Sequence, residues 1–258
     1  MTESSLLQTA QTGRVFHVAL NRPEKRNALT IELCRRLVEA FDHASNDASI
    51  GAVLLTGNGP TFCSGMDLRE SLACDQIQLA GIHEKLFTMI HRVRKPVIAA
   101  VSGAALAAGV GLAANTHILV AHPDTRFALT EIRVGLWPVL IYRSVEHAIG
   151  ERRMLELSLT GRDFTAAEAL TWGLVSEISA DPDARAAEIA ATISEFSPLA
   201  IGAGLDLVHH TGSGADWAHA GQVGRQIRDR LLASDDYKEG VRAFAEKRKP
   251  EWPSLKNR

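Results

Sequence analysis

A strand that ends in small residues is the first place in this sequence where chemistry could occur. The apolar run at residues 52–56 is followed by the turn 57–60 and then by residues 62–68, FCSGMDL. Small residues after a buried strand leave backbone N–H groups accessible, and such groups can stabilise the charge that develops on a carbonyl oxygen. This stretch is therefore a candidate oxyanion hole, although an ordinary strand-to-loop turn has the same composition.

Three further segments accompany this stretch. Residues 21–29 (NRPEKRNAL) lie upstream, and residues 102–112 (SGAALAAGVGL) and 127–131 (FALTE) lie downstream. Together and in this order, the four segments resemble the crotonase superfamily, also called the enoyl-CoA hydratase/isomerase family. The resemblance extends from about Arg14 to about Pro250. One such motif has little specificity, whereas four in order at suitable spacing are specific.

The resemblance implies that the substrate is a CoA thioester whose carbonyl oxygen accepts hydrogen bonds from two backbone amides. The matching positions in this sequence are Met66 and Ala108. Ala108 falls near the start of a predicted helix, where free N–H groups and the helix dipole both favour negative charge. The family pattern is usually glycine-rich at this second position, so the methyl groups of Ala107 and Ala108 are expected to narrow the approach.

Glu131 corresponds to the glutamate that acts as base or acid at the substrate carbons in the family. A single glutamate in a loop is more often an ordinary surface residue, but the flanking residues 127–130 and 132–136 also match the family. An apolar environment would raise the pKa of Glu131 towards neutrality, which proton transfer in both directions requires.

Gly111 departs from the pattern of the family's hydratases, which carry a second glutamate here to hold and activate water. A positioned general acid or base contributes about 10²–10⁴-fold in rate. Its absence favours double-bond isomerisation of an unsaturated acyl-CoA, which one carboxylate can perform. An enoyl-CoA hydratase that uses Glu131 alone and a non-catalytic acyl-CoA-binding protein are the alternatives.

The segment after Gly135 also departs from the hydratase pattern, which is glycine-rich. It reads LWPVLIYR in this chain. Its bulky side chains are expected to reshape the acyl pocket, unless Trp137 and Tyr142 are simply part of the core.

For the CoA moiety, the resemblance implies contacts with the pantetheine, the phosphates and the adenine ring, from residue types suited to them. These residues are Lys25, Arg26, Asp67, Leu68 and Arg69, together with Phe244 and Lys247 supplied by a neighbouring subunit. In isolation, the basic residues near Lys247 would be interpreted as a solvated tail.

The composition is that of an ordinary globular protein. The chain has 258 residues, of which 46% are hydrophobic and 22% charged, and its formal net charge is −2. This balance gives no reason to expect nucleic acid or a membrane as a partner, and no apolar run reaches the length of a membrane span. The first twelve residues show no pattern of a secretion signal.

The cysteines and histidines give no indication of a disulfide framework or a metal site. The three cysteines, Cys34, Cys63 and Cys74, are an odd number without a CxxC pair, which predicts reduced thiols and a cytoplasmic location. Cys63 lies within the candidate oxyanion motif, but no adjacent base is visible and small buried cysteines are common. The histidines lack the spacing of metal ligands.

Residues 109–114 (GVGLAA) resemble the glycine fingerprint of dinucleotide-binding proteins. That fingerprint requires its glycines in the turn directly after a strand, whereas residues 102–108 intervene here. A nicotinamide cofactor is therefore not expected, and we predict no cofactor beyond the CoA moiety of the substrate.

Hydrophobic periodicity predicts an α/β protein. The predicted strands are residues 14–20, 53–56, 97–101, 117–121 and 174–178. One predicted helix begins after Thr30. The other predicted helices are residues 76–92, 107–115, 151–159, 165–171, 183–195, 198–209, 215–233 and 236–248, and a break is predicted at residues 211–214. The resemblance implies a crotonase-type spiral of ββα units in residues 1–195. It also implies a C-terminal helical oligomerisation region in residues 196–258, which would form a homotrimer or a dimer of trimers.

Overall fold

The computed structural model describes residues 6–73, 76–212 and 216–256, except for the side chains of residues 71–79. The strands are β1 Leu7–Thr12, β2 Val15–Leu20, β3 Ala52–Gly57, β4 Val97–Val101, β5 Ala104–Leu106, β6 Ile118–Ala121, β7 Arg126–Ala128, β8 Asp163–Thr165 and β9 Glu177–Ile178. The helices are α1 Ile31–Asn46, α2 Leu68–Ala73, α3 Gln76–Phe87, α4 Ala108–Ala114, α5 Tyr142–Ile149, α6 Glu151–Thr160, α7 Ala166–Trp172, α8 Pro182–Ser194, α9 Pro198–Thr211, α10 Trp217–Ala233, α11 Asp235–Glu246 and α12 Pro253–Lys256. Short 3₁₀ helices lie at Pro23–Lys25, Met89–His91 and Glu131–Val134.

The main sheet of the described chain has six strands in the order β1-β2-β3-β4-β6-β9. β1 is antiparallel to β2, and every other pair is parallel. All residues of β4 are buried, as expected for a parallel strand that is covered on both faces. Ala186 and Ala190 of α8 pack on one face of the sheet, and α1 contributes Leu33, Leu37 and Phe41 to the larger core.

A second sheet joins the segments that carry the candidate chemistry. β5 is parallel to β7, and β7 is antiparallel to β8. An isolated bridge pairs Cys63 with Ala105, and the Leu106 amide donates to the Cys63 carbonyl at 2.9 Å. A similar bridge pairs Met66 with Leu29. The segments around residues 29, 66, 106 and 128 are thereby brought to the same region of the fold.

Most predicted elements are confirmed. β2, β3, β4 and β6 lie where strands were predicted, and α1 begins after Thr30, whose side chain accepts from the Leu33 amide at 3.1 Å. The long predicted helix 76–92 was wrong at its end, because the α-helix stops at Phe87 and a 3₁₀ turn follows. The strand predicted at 174–178 shortens to Glu177–Ile178. Cys74 and part of the break predicted at 211–214 lie outside the described residues.

Three of the last four helices, α9, α11 and α12, are joined by a polar cluster around the buried Asp236. The Asp236 carboxylate accepts hydrogen bonds from the hydroxyls of Ser197 and Ser254, which links α11 to the ends of α9 and α12. The division of the chain at residue 195 stays a prediction. In the described part of the chain, no helix combines the length and apolar character needed to cross a membrane.

Candidate active site

Gly65 allows the two predicted oxyanion segments to touch. Its φ is +97°, and a β-carbon added there would lie 3.0 Å from the Ala107 Cβ and 3.6 Å from the Ala108 amide nitrogen. Glycine tolerates both the backbone conformation and the close approach. The Gly65 carbonyl accepts from the Leu29 amide, and the Leu29 carbonyl accepts from the Asp67 amide. Met66 therefore lies between two anchored residues.

Ala107 turns the chain from β5 into α4. Its φ and ψ are 50° and −120°, a conformation that costs a residue with a β-carbon about 1–3 kcal/mol. The Ala107 amide donates to the Ala128 carbonyl at 2.8 Å, which fixes the turn. This geometry explains why the family pattern favours glycine here.

The Met66 and Ala108 amides form no hydrogen bond with any residue that the structure describes. A backbone N–H without a partner is uncommon away from solvent. Two such groups on adjoining segments make a donor pair that can receive an oxygen atom.

Glu131 begins the 3₁₀ helix that follows β7, three residues after the carbonyl that anchors Ala107. Its Oε2 is enclosed and has no hydrogen-bond partner among the described residues. Burial raises the pKa of Glu131 from 4.5 to about 7, as the sequence led us to expect. The carboxyl group can therefore both accept and return a proton near neutral pH.

Ile141 occupies the space in front of Gly111. A β-carbon added at Gly111 would lie 2.1 Å from the Ile141 Cγ2, 2.6 Å from its Cβ and 3.4 Å from the Phe87 Cε1. Ile141, which belongs to the bulky segment after Gly135, is thus the close neighbour of Gly111, whereas Val139 in the same segment is 69% exposed.

Asn115 and Ser144 hold α5 against α4. The Asn115 side-chain amide donates to the Gly111 carbonyl at 2.9 Å and to the Ser144 hydroxyl at 2.8 Å. Ile141 directly precedes α5 and is buried. Its position over Gly111 is therefore fixed by a contact between two helices, which no local sequence pattern reveals.

The residues proposed to bind CoA lie at the surface near this region. Lys25, Arg26 and Arg69 are exposed, and the Ser64 amide donates to the Arg26 carbonyl. The Asp67 carboxylate is bound to the Arg22 guanidinium at 2.7 Å, and this ion pair lowers the pKa of Asp67. Sequence reasoning missed Arg22, which lies within the NRPEKRNAL motif.

The remaining predicted contacts lie further along the chain. Leu68 is half-exposed at the start of α2, Phe244 on α11 is 87% exposed, and Lys247 is the exposed C-cap of α11. Neither Phe244 nor Lys247 forms a hydrogen bond with the site residues that the structure describes. Their contribution stays a prediction for a neighbouring subunit.

The cysteines have the properties of buried core residues. Burial raises the pKa of Cys63 to about 12 and also raises that of Cys34. The thiolate that a nucleophile requires is therefore disfavoured at both positions. Among the described residues, no group of histidine, cysteine or acidic side chains could hold a metal ion.

Comparisons with known proteins identify the family of the chain. A model of the family described as enoyl-CoA hydratase/isomerase matches residues 10–255. An enoyl-CoA hydratase of Mycobacterium tuberculosis is 36% identical over 251 residues, which cover 92% of each chain. The mitochondrial Delta(3,5)-Delta(2,4)-dienoyl-CoA isomerase of Rattus norvegicus is 37% identical over 226 residues, covering 80% of this chain and 69% of that protein.

A crystal structure of enoyl-CoA hydratase from Mycobacterium smegmatis has a TM-score of 0.91 to this chain at 32% identity, covering 96% of this chain and 99% of the other. The mixed α/β architecture, with its helical C-terminus, is the crotonase fold. The chain belongs to the enoyl-CoA hydratase/isomerase family and is an enzyme of acyl-CoA metabolism.

Proposed function

We propose that the protein moves a double bond in an unsaturated acyl-CoA thioester, from the β,γ to the α,β position. Glu131 removes a proton from the α-carbon, and the electron pair of that C–H bond moves into the thioester carbonyl. The amides of Met66 and Ala108 donate to the resulting oxyanion. Glu131 then returns its proton to the γ-carbon, which leaves the double bond conjugated with the carbonyl.

The protonation behaviour of Glu131 supports this cycle. A pKa of about 7 leaves comparable amounts of carboxylate and carboxylic acid at neutral pH. The same group can therefore act as base in the first step and as acid in the second. An enolate in this site would meet two N–H groups that have no other partner in the described chain, and one such donor contributes about 3–4 kcal/mol in acyl-transfer enzymes.

The contact between Ile141 and Gly111 is the observation that favours isomerisation over hydration. The side chain that would supply a second carboxylate at position 111 is absent, and an aliphatic side chain fills the space next to it. A water molecule that is to be activated needs polar partners. An apolar surface at this position gives a water molecule no group to orient it.

Hydration is the second candidate, because the names of the relatives favour it. Besides the Mycobacterium tuberculosis protein, the 2,3-dehydroadipyl-CoA hydratase of Escherichia coli is 34% identical over 252 residues. A hydratase in this chain would have to orient water with Glu131 alone. Binding without catalysis is less well supported, since a buried carboxyl group with no partner is costly to keep for binding only.

The test compares both reactions in the purified full chain. We expect 3-hexenoyl-CoA to be converted to 2-hexenoyl-CoA at least about 10²-fold faster than 2-hexenoyl-CoA gains water, since one general acid or base contributes about that much. Chromatography of the CoA esters separates the products. Hydration at an equal or higher rate would contradict isomerisation and support the hydratase.

Assembly into a homotrimer or a dimer of trimers is also proposed, with Phe244 and Lys247 supplied by a neighbour to the CoA site. Tyr237, Val241 and Phe244 are exposed at helical spacing on α11, and a contiguous exposed apolar patch is typical of an interaction surface. Light scattering at micromolar concentration would show a mass of at least three chains. The cytoplasmic location stays a proposal based on the cysteine usage.

A further inference from the structure

His83 is a buried polar residue that the proposed reaction does not use. It lies on α3 and is 6% exposed. Its ring nitrogen Nε2 is enclosed and has no hydrogen-bond partner among the described residues. A buried polar group without a partner costs about 1–3 kcal/mol. Folded proteins keep few such groups, and a partner from outside the chain is one explanation for each.

A chain of contacts connects His83 with the candidate site. The rings of His83 and Phe87 have centroids 6.2 Å apart, and the Phe87 Cε1 is 3.4 Å from the β-carbon position of Gly111. Gly111 lies one turn of α4 after Ala108, which carries the proposed oxyanion donor. His83 is therefore about one aromatic ring away from the position where the family's hydratases have their second carboxylate.

The position of His83 along these contacts fits the acyl chain better than the CoA moiety. The proposed CoA residue Arg26 lies beside Ser64, and Gly65 touches the Ala107–Ala108 turn. Gly111 and then Phe87 and His83 follow beyond this turn. An acyl chain that extends from the oxyanion donors past Ile141, whose side chain fills the space in front of Gly111, would reach Phe87 and then His83 after the reacting carbons.

The chemistry of His83 limits what it can bind. Burial lowers the pKa of His83, and no carboxylate contributes to this shift, so the ring is uncharged near neutral pH. A neutral imidazole has one N–H donor and one acceptor. It suits a hydroxyl or a ketone oxygen, whereas a carboxylate pairs best with a cationic donor. The neighbouring Leu86 and Phe87 are buried apolar residues and provide no other polar contact for an acyl chain.

We propose that His83 recognises an acyl-CoA whose chain carries a neutral oxygen function, a hydroxyl or a ketone, beyond the reacting carbons. The Nε2 atom forms a hydrogen bond with that oxygen. This rests on the proposed function, because it places the acyl chain beyond the oxyanion donors, beside Ile141 and Phe87. His83 acts in recognition and has no part in proton transfer. A single polar atom in an apolar wall discriminates well, since a chain without the oxygen leaves that atom unpaired.

Saturated esters test recognition without turnover. Calorimetry with the full chain would compare hexanoyl-CoA, three hydroxyhexanoyl-CoA esters with the hydroxyl at the γ, δ or ω carbon, and adipoyl-CoA. We expect one hydroxy ester to bind about tenfold more tightly than hexanoyl-CoA, the effect of one hydrogen bond. His83→Phe should abolish this preference and leave the affinity for hexanoyl-CoA within about threefold, because the aromatic packing is retained.

Two further variants separate recognition from packing. His83→Gln places an amide near the position of Nε2 and should restore part of the preference. Phe87→Leu alters the neighbouring packing without removing a polar atom, and should change the affinity for all esters alike.

Three results would overturn the role of His83 without affecting the proposed function. They are equal affinity for hexanoyl-CoA and every hydroxy ester, an equal loss of affinity for all esters in His83→Phe, or tightest binding of adipoyl-CoA. Failure of the parent protein to bind hexanoyl-CoA at all would instead contradict the proposed function, and the role of His83 with it.

Discussion

At the scale of single residues, the burial of the Glu131 carboxyl group is costly for its charged form but useful for proton transfer. Its carboxyl oxygen is enclosed without a partner, which is unfavourable for the charged form. The same burial brings its pKa to about 7, where proton transfer is most effective. A shift from 4.5 to about 7 corresponds to roughly 3 kcal/mol. The protein thus retains a costly group at the position where the proposed reaction needs it.

Glu131→Gln should abolish isomerisation while CoA esters still bind, because glutamine keeps the size and polarity but cannot accept a proton. In the parent protein, kcat/KM should rise with pH through about 7, since the carboxylate is the reactive form. Steady-state kinetics across pH and calorimetry with hexanoyl-CoA measure both effects. Glu84→Gln, at an exposed position of α3, is the matched control and should behave like the parent.

The same substitution also predicts a change in stability. The folded state disfavours ionised Glu131, so the parent loses stability as pH rises from about 4.5 to about 7. Glu131→Gln should therefore be more stable than the parent at pH 8, by up to roughly 3 kcal/mol, and nearly equal at pH 4. The role of Glu131 would be contradicted if the variant catalysed isomerisation at the parent rate, or if the difference in stability did not change with pH.

At the scale of elements, the contact between α4 and α5 determines what the site can contain. Gly111→Glu alone should be strongly destabilised, because its β-carbon would overlap the Ile141 side chain and overpacking costs about 1–3 kcal/mol or more. The double variant Gly111→Glu/Ile141→Gly removes the obstruction. It should hydrate 2-hexenoyl-CoA at least about tenfold faster than its control, since a second positioned acid or base adds a factor of this order or greater.

The control for this experiment is Gly111→Ala/Ile141→Gly, which has the same backbone and β-carbon without the carboxylate. Thermal unfolding and the rate of water addition would be measured for both. If Gly111→Glu alone unfolds at the parent temperature, the close approach of Ile141 is not the limiting factor. If the two double variants hydrate equally, the missing carboxylate does not explain a preference for isomerisation.

Elements with strong periodicity could be predicted from the sequence, and those defined by tertiary contacts could not. The strands around residues 14–20 and 97–101 contain long apolar or alternating patterns, and Thr30 is a clear helix N-cap. β5, β7 and β8 have three residues each and form through their partners. β1 was missed because five of its six residues are exposed, so its pattern lacks alternation.

The candidate site shows the same division. Met66, Ala108 and Glu131 could be named because their motifs resemble a family, and an apolar environment was expected to raise the pKa of Glu131. The partner of Gly111 could not be named, since Ile141 reaches it only through the packing of two helices. The Arg22–Asp67 ion pair could not be predicted either, because it joins two motifs that are separate in the sequence.

At the scale of the whole molecule, three histidines meet where the C-terminal helices contact the core. The rings of His91 and His209 have centroids 5.3 Å apart, and His209 lies on α9. Burial, together with the charges of these two residues, lowers the pKa of His117 to about 4. The His117 Nδ1 accepts from the Val97 amide at 2.9 Å, which requires a neutral ring. The fold therefore favours the neutral form of His117 at this junction.

This arrangement predicts a loss of stability in acid. In an unfolded chain His117 binds a proton below about 6.5, whereas in the folded protein it stays neutral down to about 4. Its contribution is fully present above pH 6.5 and disappears as the pH falls towards 4, by roughly 3 kcal/mol in total. His117→Asn keeps an acceptor for the Val97 amide but cannot titrate. The variant should be less stable than the parent at pH 7.5, and the difference should shrink as the pH falls to 4.5.

Urea unfolding at fixed protein concentration and ionic strength measures this difference in stability, since assembly makes stability depend on concentration. His219→Asn, at an exposed position, should follow the parent at every pH. Parallel loss of stability in the parent and His117→Asn would show that other groups govern the acid response, and that the histidines between α9 and the core do not link the C-terminal helices to pH.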